Sequence, residues 1–292
     1  MTRRTVTRFA PSPTGLLHLG HAFAAFTAWR AAKTEDGRFL LRIEDIDPTR
    51  CKPAFDAALQ RDLAWLGLVW DGPLRRQSEH MADYAAALAR LEQAGLIYPC
   101  FCTRAAIKAE IARAGAAPHL SNEQPEPIYP GICRMLSAAE RAARIAHGEV
   151  FALRLNVQAA LTQTGPLDWH DRNQGRIKAR PDRFGDIVIA RKEMPTSYHL
   201  AATLDDHLQG VNLVTRGEDL FEATHIHRLL QALLGLDTPD YAHHRLITDS
   251  SGRRFAKRDN ALNLATLREN GVAPEAIIAV LETGLFDPLL RG

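Results

Sequence analysis

The 292-residue chain contains no run of about eighteen apolar residues, so no segment could cross a bilayer as a helix. Met1-Thr2-Arg3-Arg4 is basic but lacks the apolar core of a secretory leader behind it. A soluble, cytoplasmic protein with no membrane partner is expected, and nothing points beyond a monomer. Cysteine is scarce. There are four, Cys51, Cys100, Cys102 and Cys133, and a reducing compartment disfavours disulfides between them. Net charge is scarce too. A balance of +2 neither demands nor excludes nucleic acid, because RNA needs a local basic patch rather than a basic total. Two such patches exist: Arg176, Lys178, Arg180 and Arg183, and Arg253, Arg254, Lys257 and Arg258. A hydrophobic content of 46% with 24% charged residues excludes disorder and allows a large core in one or two domains.

The most informative stretch lies near the start: Arg8-Phe9-Ala10-Pro11-Ser12-Pro13-Thr14-Gly15, then His18-Leu19-Gly20-His21. Before it, Thr5 to Phe9 reads as a short strand rich in branched and aromatic residues. After it, Leu19 to about Lys33 is alanine-rich and reads as a helix. Two prolines stiffen the crossover, and Gly15 and Gly20 let backbone approach a ligand. The helix N-terminus offers free N–H groups and a positive dipole end, which suits phosphate. His18 and His21 fall on the same side of the first turn.

Phe39 to Glu44 reads as a second strand ending at Asp45-Ile46-Asp47-Pro48. Strand, helix, strand predicts a right-handed βαβ unit and a parallel sheet. Ligands of such sheets sit beyond the carboxyl ends of the strands, where Glu44 falls. Helices are predicted over Pro53–Leu66 and from Ser78 to about Gln93, the latter stopped by Gly95. Ser137-Ala138-Ala139-Glu140 has capping-box spacing and opens a helix to about Ala146. Val150 to Val157 alternates like a strand, and Gly165 to Arg183 is polar and reads as irregular. Asp186 to Ala190 reads as a buried strand. Pro195 opens a helix to about His207, and Val211 to Arg216 reads as another strand. Arg216, at its carboxyl end, can grip a carboxylate with two parallel hydrogen bonds, or pair with Glu218 or Asp219. Helices are expected over Asp219–Leu234, Leu264–Asn270 and Pro274–Thr283.

Cys100-Phe101-Cys102 is a close thiol pair, and a metal is its better functional reading. Structural zinc takes four ligands in a tetrahedron. Cys100, Cys102 and Cys133 supply three. His119 and Tyr129 are candidates for the fourth, and spacing alone favours His119, because tyrosine is an uncommon ligand.

Taken together, these motifs resemble the class I aminoacyl-tRNA synthetases of the glutamyl branch. His18-Leu19-Gly20-His21 matches that family's "HIGH" motif, and Arg42-Ile43-Glu44-Asp45-Ile46-Asp47 its second signature. Arg254-Phe255-Ala256-Lys257-Arg258 is similar to its "KMSKS" loop in degenerate form, with Lys257 kept. The resemblance implies an α/β fold: a Rossmann-like parallel-sheet catalytic core, a zinc-binding insertion and a short C-terminal helical segment. It divides the chain into 1–99, the first half of the core; 100–183, the insertion; 184–240, the second half; and 241–292, the loop and helical segment. It implies that His18, Gly20, His21 and Lys257 bind ATP with Mg²⁺, and that His18, His21 and Lys257 serve catalysis. It implies that Arg8, Phe9, Ala10, Pro11, Ser12, Glu44, Tyr198 and Arg216 hold L-glutamate, with Glu44 facing the ammonium group.

Within that branch, Cys-x-Cys followed by Tyr-x-x-x-Cys resembles the zinc site of the glutamyl-queuosine tRNA(Asp) synthetases. The resemblance therefore names Tyr129 as the fourth ligand. Only 35 residues follow Lys257, too few for the helical anticodon-binding domains of the parent enzymes. The implied activity is tRNA-independent formation of glutamyl adenylate, then transfer of glutamate to queuosine in the anticodon of tRNA(Asp). A minimal synthetase charging tRNA(Glu), or another nucleotidyltransferase that adenylates a small acid, are the alternatives.

Overall fold

The computed structural model describes residues 4–103, 105–107, 128–191, 194–247 and 263–283. Strand β1 (Val6–Phe9) leads through the Pro-rich loop into helix α1 (Leu19–Thr34). Strand β2 (Arg38–Ile43) lies parallel to β1, with Arg8 opposite Leu40. Helix α2 (Pro53–Trp65) opens on a proline in its first turn, where the missing N–H costs nothing. Strand β3 (Arg75–Arg76) extends the sheet in parallel. The turn before helix α3 (Met81–Gln93) is 3₁₀ rather than the expected start of an α-helix. Ser78 does not cap that helix; its N–H and hydroxyl donate to Asp45 at 2.8 and 2.6 Å.

Strand β4 (Ile97–Cys100), not foreseen in the sequence, begins a separate antiparallel sheet. Helix α4 (Ala138–Ala146) carries the predicted capping box between Ser137 and Glu140. Strand β5 (Ala152–Leu155) is shorter than expected. Asn156 accepts the Ala159 N–H at 3.1 Å and turns the chain into helix α5 (Val157–Thr164), which alternation had hidden. The polar segment Gly165–Arg183 is not irregular. It holds the hairpin β6 (Asp168–Asp171) and β7 (Gly175–Lys178), closed by Asp171, which accepts the N–H groups of Asn173 and Gln174. Strand β8 (Val188–Arg191) completes the β4-β5-β8 antiparallel sheet.

Helix α6 (Tyr198–Leu208), capped by Ser197, is followed by strand β9 (Leu213–Gly217), helix α7 (Ala223–Leu234) and strand β10 (Asp240–His244). β10 pairs in parallel with β9 and with β6. The Asn212 N–H donates to the Val6 carbonyl at 3.1 Å, and Arg8 donates to the Thr215 carbonyl at 3.2 Å, so β9 runs alongside β1 in the same direction. Helices α8 (Leu264–Glu269) and α9 (Pro274–Thr283) pack against α1 and α2. Among the described residues, no helix is long and apolar enough to cross a membrane.

The two faces of the sheet differ in chemistry, and strand alternation explains how. Phe39, Leu41 and Ile43 of β2 join the α1–α2 core, while Leu40 faces Trp169, Val214 and Tyr241 on the other side. One pleat further along that second face come charges. Arg42 meets Asp206 at 2.9 Å, Glu44 at 3.4 Å and Asp205 at 3.8 Å, and Arg8 meets Asp206 at 2.9 Å. Arg75 and the Tyr84 hydroxyl hold Asp205 at 2.8 Å each. Burial works against charge on Arg42, but Asp206, Glu44 and Asp205 outweigh it and raise its pKa. Burial likewise opposes ionisation of Asp206, and Arg8 and Arg42 overcome it.

Removing one partner of a buried ion pair costs about 3–5 kcal/mol, since the other charge stays buried alone. Asp206→Ala is expected to lower stability by that amount in urea unfolding, with a smaller loss for Asp206→Asn. An unchanged midpoint in Asp206→Ala would show that the network does not hold the sheet to α6.

Candidate active site

Because β1, β2 and β9 are parallel, their carboxyl ends lie on one edge and carry Ala10, Glu44 and Gly217. The loop after β1 is tied to the segment after β2: the Glu44 N–H donates to the Pro11 carbonyl and the Lys52 N–H to the Pro13 carbonyl, both at 3.0 Å. Pro11 is buried and Ser12 is exposed. The Phe9 side chain lies in the apolar core, so only its main chain could face a ligand.

His18 is the N-cap of α1. Its Nδ1 accepts the Gly20 N–H at 3.1 Å, and His21 Nδ1 accepts the His18 N–H at 3.3 Å. The two rings stand 3.8 Å apart. This turn also explains Gly20: a Cβ there would meet His18 Cε1 at 2.9 Å. The glycine makes room for the histidine ring itself. Asn263 pairs with His18, and the Leu264 N–H donates to the Leu17 carbonyl at 2.8 Å. Lys257 and the rest of the KMSKS-like loop lie outside the described residues, but the chain six positions after Lys257 is fixed beside the histidine pair.

A cleft of about 1340 Å³ separates this edge from the small antiparallel sheet. Ser12, Thr14 and Glu44 line one wall; Tyr198 and His199, at the start of α6, line another. Burial raises the Glu44 carboxyl to about 7 against the opposing pull of Arg42 and Arg8. Arg216 is buried and reaches the lining through Tyr198, to whose oxygen its Nη1 donates at 3.4 Å. Its other contacts are neutral. Nε donates to His243 Nε2 at 3.2 Å, Nη1 to His227 Nδ1 at 3.3 Å, and Nη2 to the Thr224 hydroxyl. Among the described residues no carboxylate pairs with Arg216, so the expected alternative of a bridge to Glu218 or Asp219 is not formed. A two-pronged grip on a carboxylate requires one of these neutral partners to yield.

The far wall of the cleft carries Cys100, Cys102 and Tyr129. The sulfurs of Cys100, Cys102 and Cys133 all lie within 4.8 Å of one another, with Cys102 and Cys133 at 3.4 Å. The Tyr129 hydroxyl is 3.7 Å from Cys102 Sγ and accepts the Cys133 N–H at 2.7 Å. Thiolates on a tetrahedral zinc sit about 3.8 Å apart, given Zn–S near 2.3 Å. Three soft donors with a phenol oxygen beside them fit a thiophilic cation. His119 lies outside the described residues. Burial pushes the Cys102 thiol up to about 12. Burial opposes the Cys133 thiolate too, yet bonds from Tyr129 and the Phe101 N–H bring that group below the ordinary thiol value. Cys51 stands apart, its thiol facing the Glu44 carbonyl at 3.8 Å. Asp186 anchors the cluster. It accepts from the Tyr98 hydroxyl at 2.6 Å, from Arg134 at 3.0 Å and from the Val157 N–H at 3.0 Å.

Sequence reasoning missed Arg42, Asp205, Asp206, His227 and His243. One signal was available: two adjacent aspartates inside a helix whose neighbours Ala201, Ala202 and Leu204 are apolar.

Residues 4–286 match the family model described as tRNA synthetases class I (E and Q), catalytic domain. A glutamyl-Q tRNA(Asp) synthetase of Rhodobacter capsulatus is 50% identical over 93% of this chain and 98% of its own length. One from Nocardia farcinica is 42% identical over 96% of this chain and 85% of its own. Among solved structures, a glutamate tRNA ligase of Elizabethkingia meningosepticum, in complex with its amino acid, superposes with a TM-score of 0.79 at 27% identity, over 96% of this chain but 60% of that enzyme. With its parallel sheet, its histidine-capped first helix and relatives of this similarity, the chain belongs to the class I E and Q tRNA synthetases, and within them to the glutamyl-Q tRNA(Asp) synthetase family.

Proposed function

We propose that this protein activates L-glutamate without tRNA, using ATP and Mg²⁺, and then transfers glutamate to queuosine at the wobble position of tRNA(Asp). In the first step the glutamate α-carboxylate attacks the α-phosphorus of ATP. A P–O bond forms, pyrophosphate leaves, and glutamyl adenylate remains. In the second a queuosine hydroxyl attacks the activated carbonyl, AMP leaves, and the hydroxyl proton passes to solvent. No protein nucleophile is needed; the chain must position reactants and spread charge.

The observation that carries this reading is the division of charge around the cleft. Glu44 stands at the end of one parallel strand and offers an anion to an ammonium group. Arg216, at a neighbouring strand end and paired with no carboxylate among the described residues, supplies positive charge for a carboxylate, and Arg8, whose Nε is held by Asp206, adds its remaining N–H groups. Ser12, which lines the cleft, and the main chain of Phe9, Ala10 and Pro11 before it would bind glutamate alongside them. His18, Gly20, His21 and Lys257 bind ATP, with His18, His21 and Lys257 stabilising charge on the phosphates. Cys100, Cys102, Cys133 and Tyr129 hold one structural zinc. The enzyme works in the cytoplasm as a monomer.

Glutamate transfer is to be measured with three RNAs: queuosine-bearing tRNA(Asp), the same tRNA with guanosine, and tRNA(Glu). Labelling of the queuosine form alone is expected, and periodate treatment should abolish it by destroying the diol. Labelling of tRNA(Glu) would favour a minimal glutamyl-tRNA synthetase, a reading that the likeness to a glutamate tRNA ligase keeps open. Lys257→Ala is expected to slow glutamate-dependent pyrophosphate exchange about ten- to a hundred-fold, the worth of one charge-assisted contact; unchanged exchange would remove Lys257 from the phosphate site.

Glu44 must be ionised to pair with an ammonium group, and its carboxyl titrates near 7. Lowering the pH from about 8 to about 6 is therefore expected to raise KM for glutamate roughly tenfold, following the loss of the carboxylate. Glu44→Gln should raise KM and flatten that dependence; a profile that keeps its slope in the variant would assign the titration to another group.

For the metal, the purified protein should carry one zinc per chain by elemental analysis. Cys102→Ser should lose it and lower Tm. A metal-free wild-type protein of unchanged Tm would show that the thiol cluster is not a zinc site.

A further inference from the structure

At the start of α6, His199 lines the cleft beside Tyr198, and His227 of α7 stands behind it. His199 Nδ1 and His227 Nε2 are 3.2 Å apart, and His227 Nδ1 is 3.3 Å from Arg216 Nη1. A guanidinium has five N–H donors and no acceptor. His227 Nδ1 must therefore accept, and the His227 proton sits on Nε2. That proton is donated to His199 Nδ1, so the His199 proton sits on Nε2, its only other nitrogen. Both rings are neutral. Burial and the Arg216 charge hold His199 down to about 4 and His227 well below its ordinary value. Arg216 biases Tyr198 in the same direction without fixing it, since a phenol oxygen has a second lone pair. The Tyr198 oxygen accepts from Arg216 Nη1 at 3.4 Å, which leaves its hydrogen to be donated elsewhere. Behind Arg216 the pattern repeats: His243 Nε2 accepts from Arg216 Nε at 3.2 Å, and His243 Nδ1 donates to Asp171 at 2.7 Å.

We infer that His199 is a specificity-determining residue, made an obligate hydrogen-bond donor to the cleft by a relay from Arg216 through His227. This rests on the glutamate reading of the site. Tyr198 and His199 then offer two donors side by side, and Arg216 lends positive charge behind them. A carboxylate accepts from both. A carboxamide can turn its oxygen to one donor, but its NH₂ group then faces the other, and an unpaired buried donor is costly. The site thus selects glutamate over glutamine through two neutral groups whose polarity one buried arginine sets. His227, which touches no ligand, acts as a positioning residue.

Full-length protein with ¹⁵N-labelled histidine gives the first readout. Long-range ¹H–¹⁵N correlation at pH 7 should show His199 and His227 neutral with the proton on Nε2, and His243 neutral with the proton on Nδ1. The His199→Gln and His227→Gln variants assign the signals. Pyrophosphate exchange with glutamate and with glutamine gives the second. His199→Phe should raise KM for glutamate roughly tenfold with little change in kcat. His199→Gln keeps a donor but can also turn its oxygen to the ligand, so it should retain most glutamate affinity while losing roughly tenfold of the preference over glutamine. His227→Phe should erode that preference in the same direction. A His199 proton on Nδ1, or a His199→Phe variant with unaltered KM and preference, would overturn the assignment. A wild-type enzyme without glutamate-dependent exchange would overturn the substrate reading and with it the discrimination, while the spectrum would still decide the relay.

Discussion

Arg42 has no solvent exposure, and a buried guanidinium survives only among compensating charges. Asp206, Glu44 and Asp205 supply them, and through them β2 is bound to α6. The arrangement follows from strand alternation. On one face of the sheet Val6, Leu40, Val214 and Tyr241 pack with Trp169 into an apolar row. Two residues further along the same strands stand Arg8, Arg42, Arg216 and His243. Apolar burial fixes the strands' register, and that register brings the charged row to the carboxyl edge, where parallel sheets bind ligands. Helix α6 links the two levels. Its first residues, Tyr198 and His199, line the cleft, and two turns later Asp205 and Asp206 hold the arginines. A ligand that moved Tyr198 would pull on Arg42 and Asp205, neither of which has any solvent exposure.

Arg216 differs from Arg8 and Arg42 in its company. Those two face aspartates, whereas Arg216 is surrounded by two imidazoles, a phenol and a threonine hydroxyl. Neutral acceptors satisfy its N–H groups without cancelling its charge. The charge shows in the lowered basicity of His199 and His243, each down to about 4, after burial as the larger cause. A cation held by dipoles keeps its field for a ligand, and an anion that gains from that field without direct contact leaves these hydrogen bonds in place. That is the electrostatic preorganisation on which acyl and phosphoryl transfer depend.

Local signals carried much of this into the sequence. The crossover after β1, the capping box at Ser137, the proline at the start of α2 and the close cysteines were legible because each is set by residues a few positions apart. Glu44 and Arg216 were legible as charges at strand ends. What escaped was set by pairing across the chain. Arg42 reads as an ordinary polar residue of a half-exposed strand until Asp206, 164 positions later, is brought beside it. Strand β6 has the sequence Asp-Trp-His-Asp, with little β propensity, and exists because β10 lies next to it and Trp169 fills the core between them. Strand β10, Asp-Tyr-Ala-His-His, hid for the same reason. His243 could be valued only once Asp171 and Arg216 stood on either side of it.

The thiol cluster belongs to the same chain of constraint. Cys100 ends β4 and Cys102 follows it, and β4 is held antiparallel to β5, which pairs with β8. Asp186 ties these strands together: Tyr98 of β4, Arg134 beside Cys133, Arg154 of β5 and the first N–H of α5 all reach it. Asp186 also lines the cleft, as do Cys100, Cys102 and Tyr129, opposite Glu44. Arg154 lies over the Tyr129 ring at 3.9 Å, a cation–π contact that holds the ring in place. A cation bound among these sulfurs would therefore do more than staple a loop. It would fix β4 and the Tyr129 segment against Asp186, and so set the distance between the far wall and the strand ends where Glu44 and Tyr198 wait. The antiparallel sheet is therefore a wall of the same cleft whose other walls carry Glu44 and Tyr198, and not an appendage to the fold.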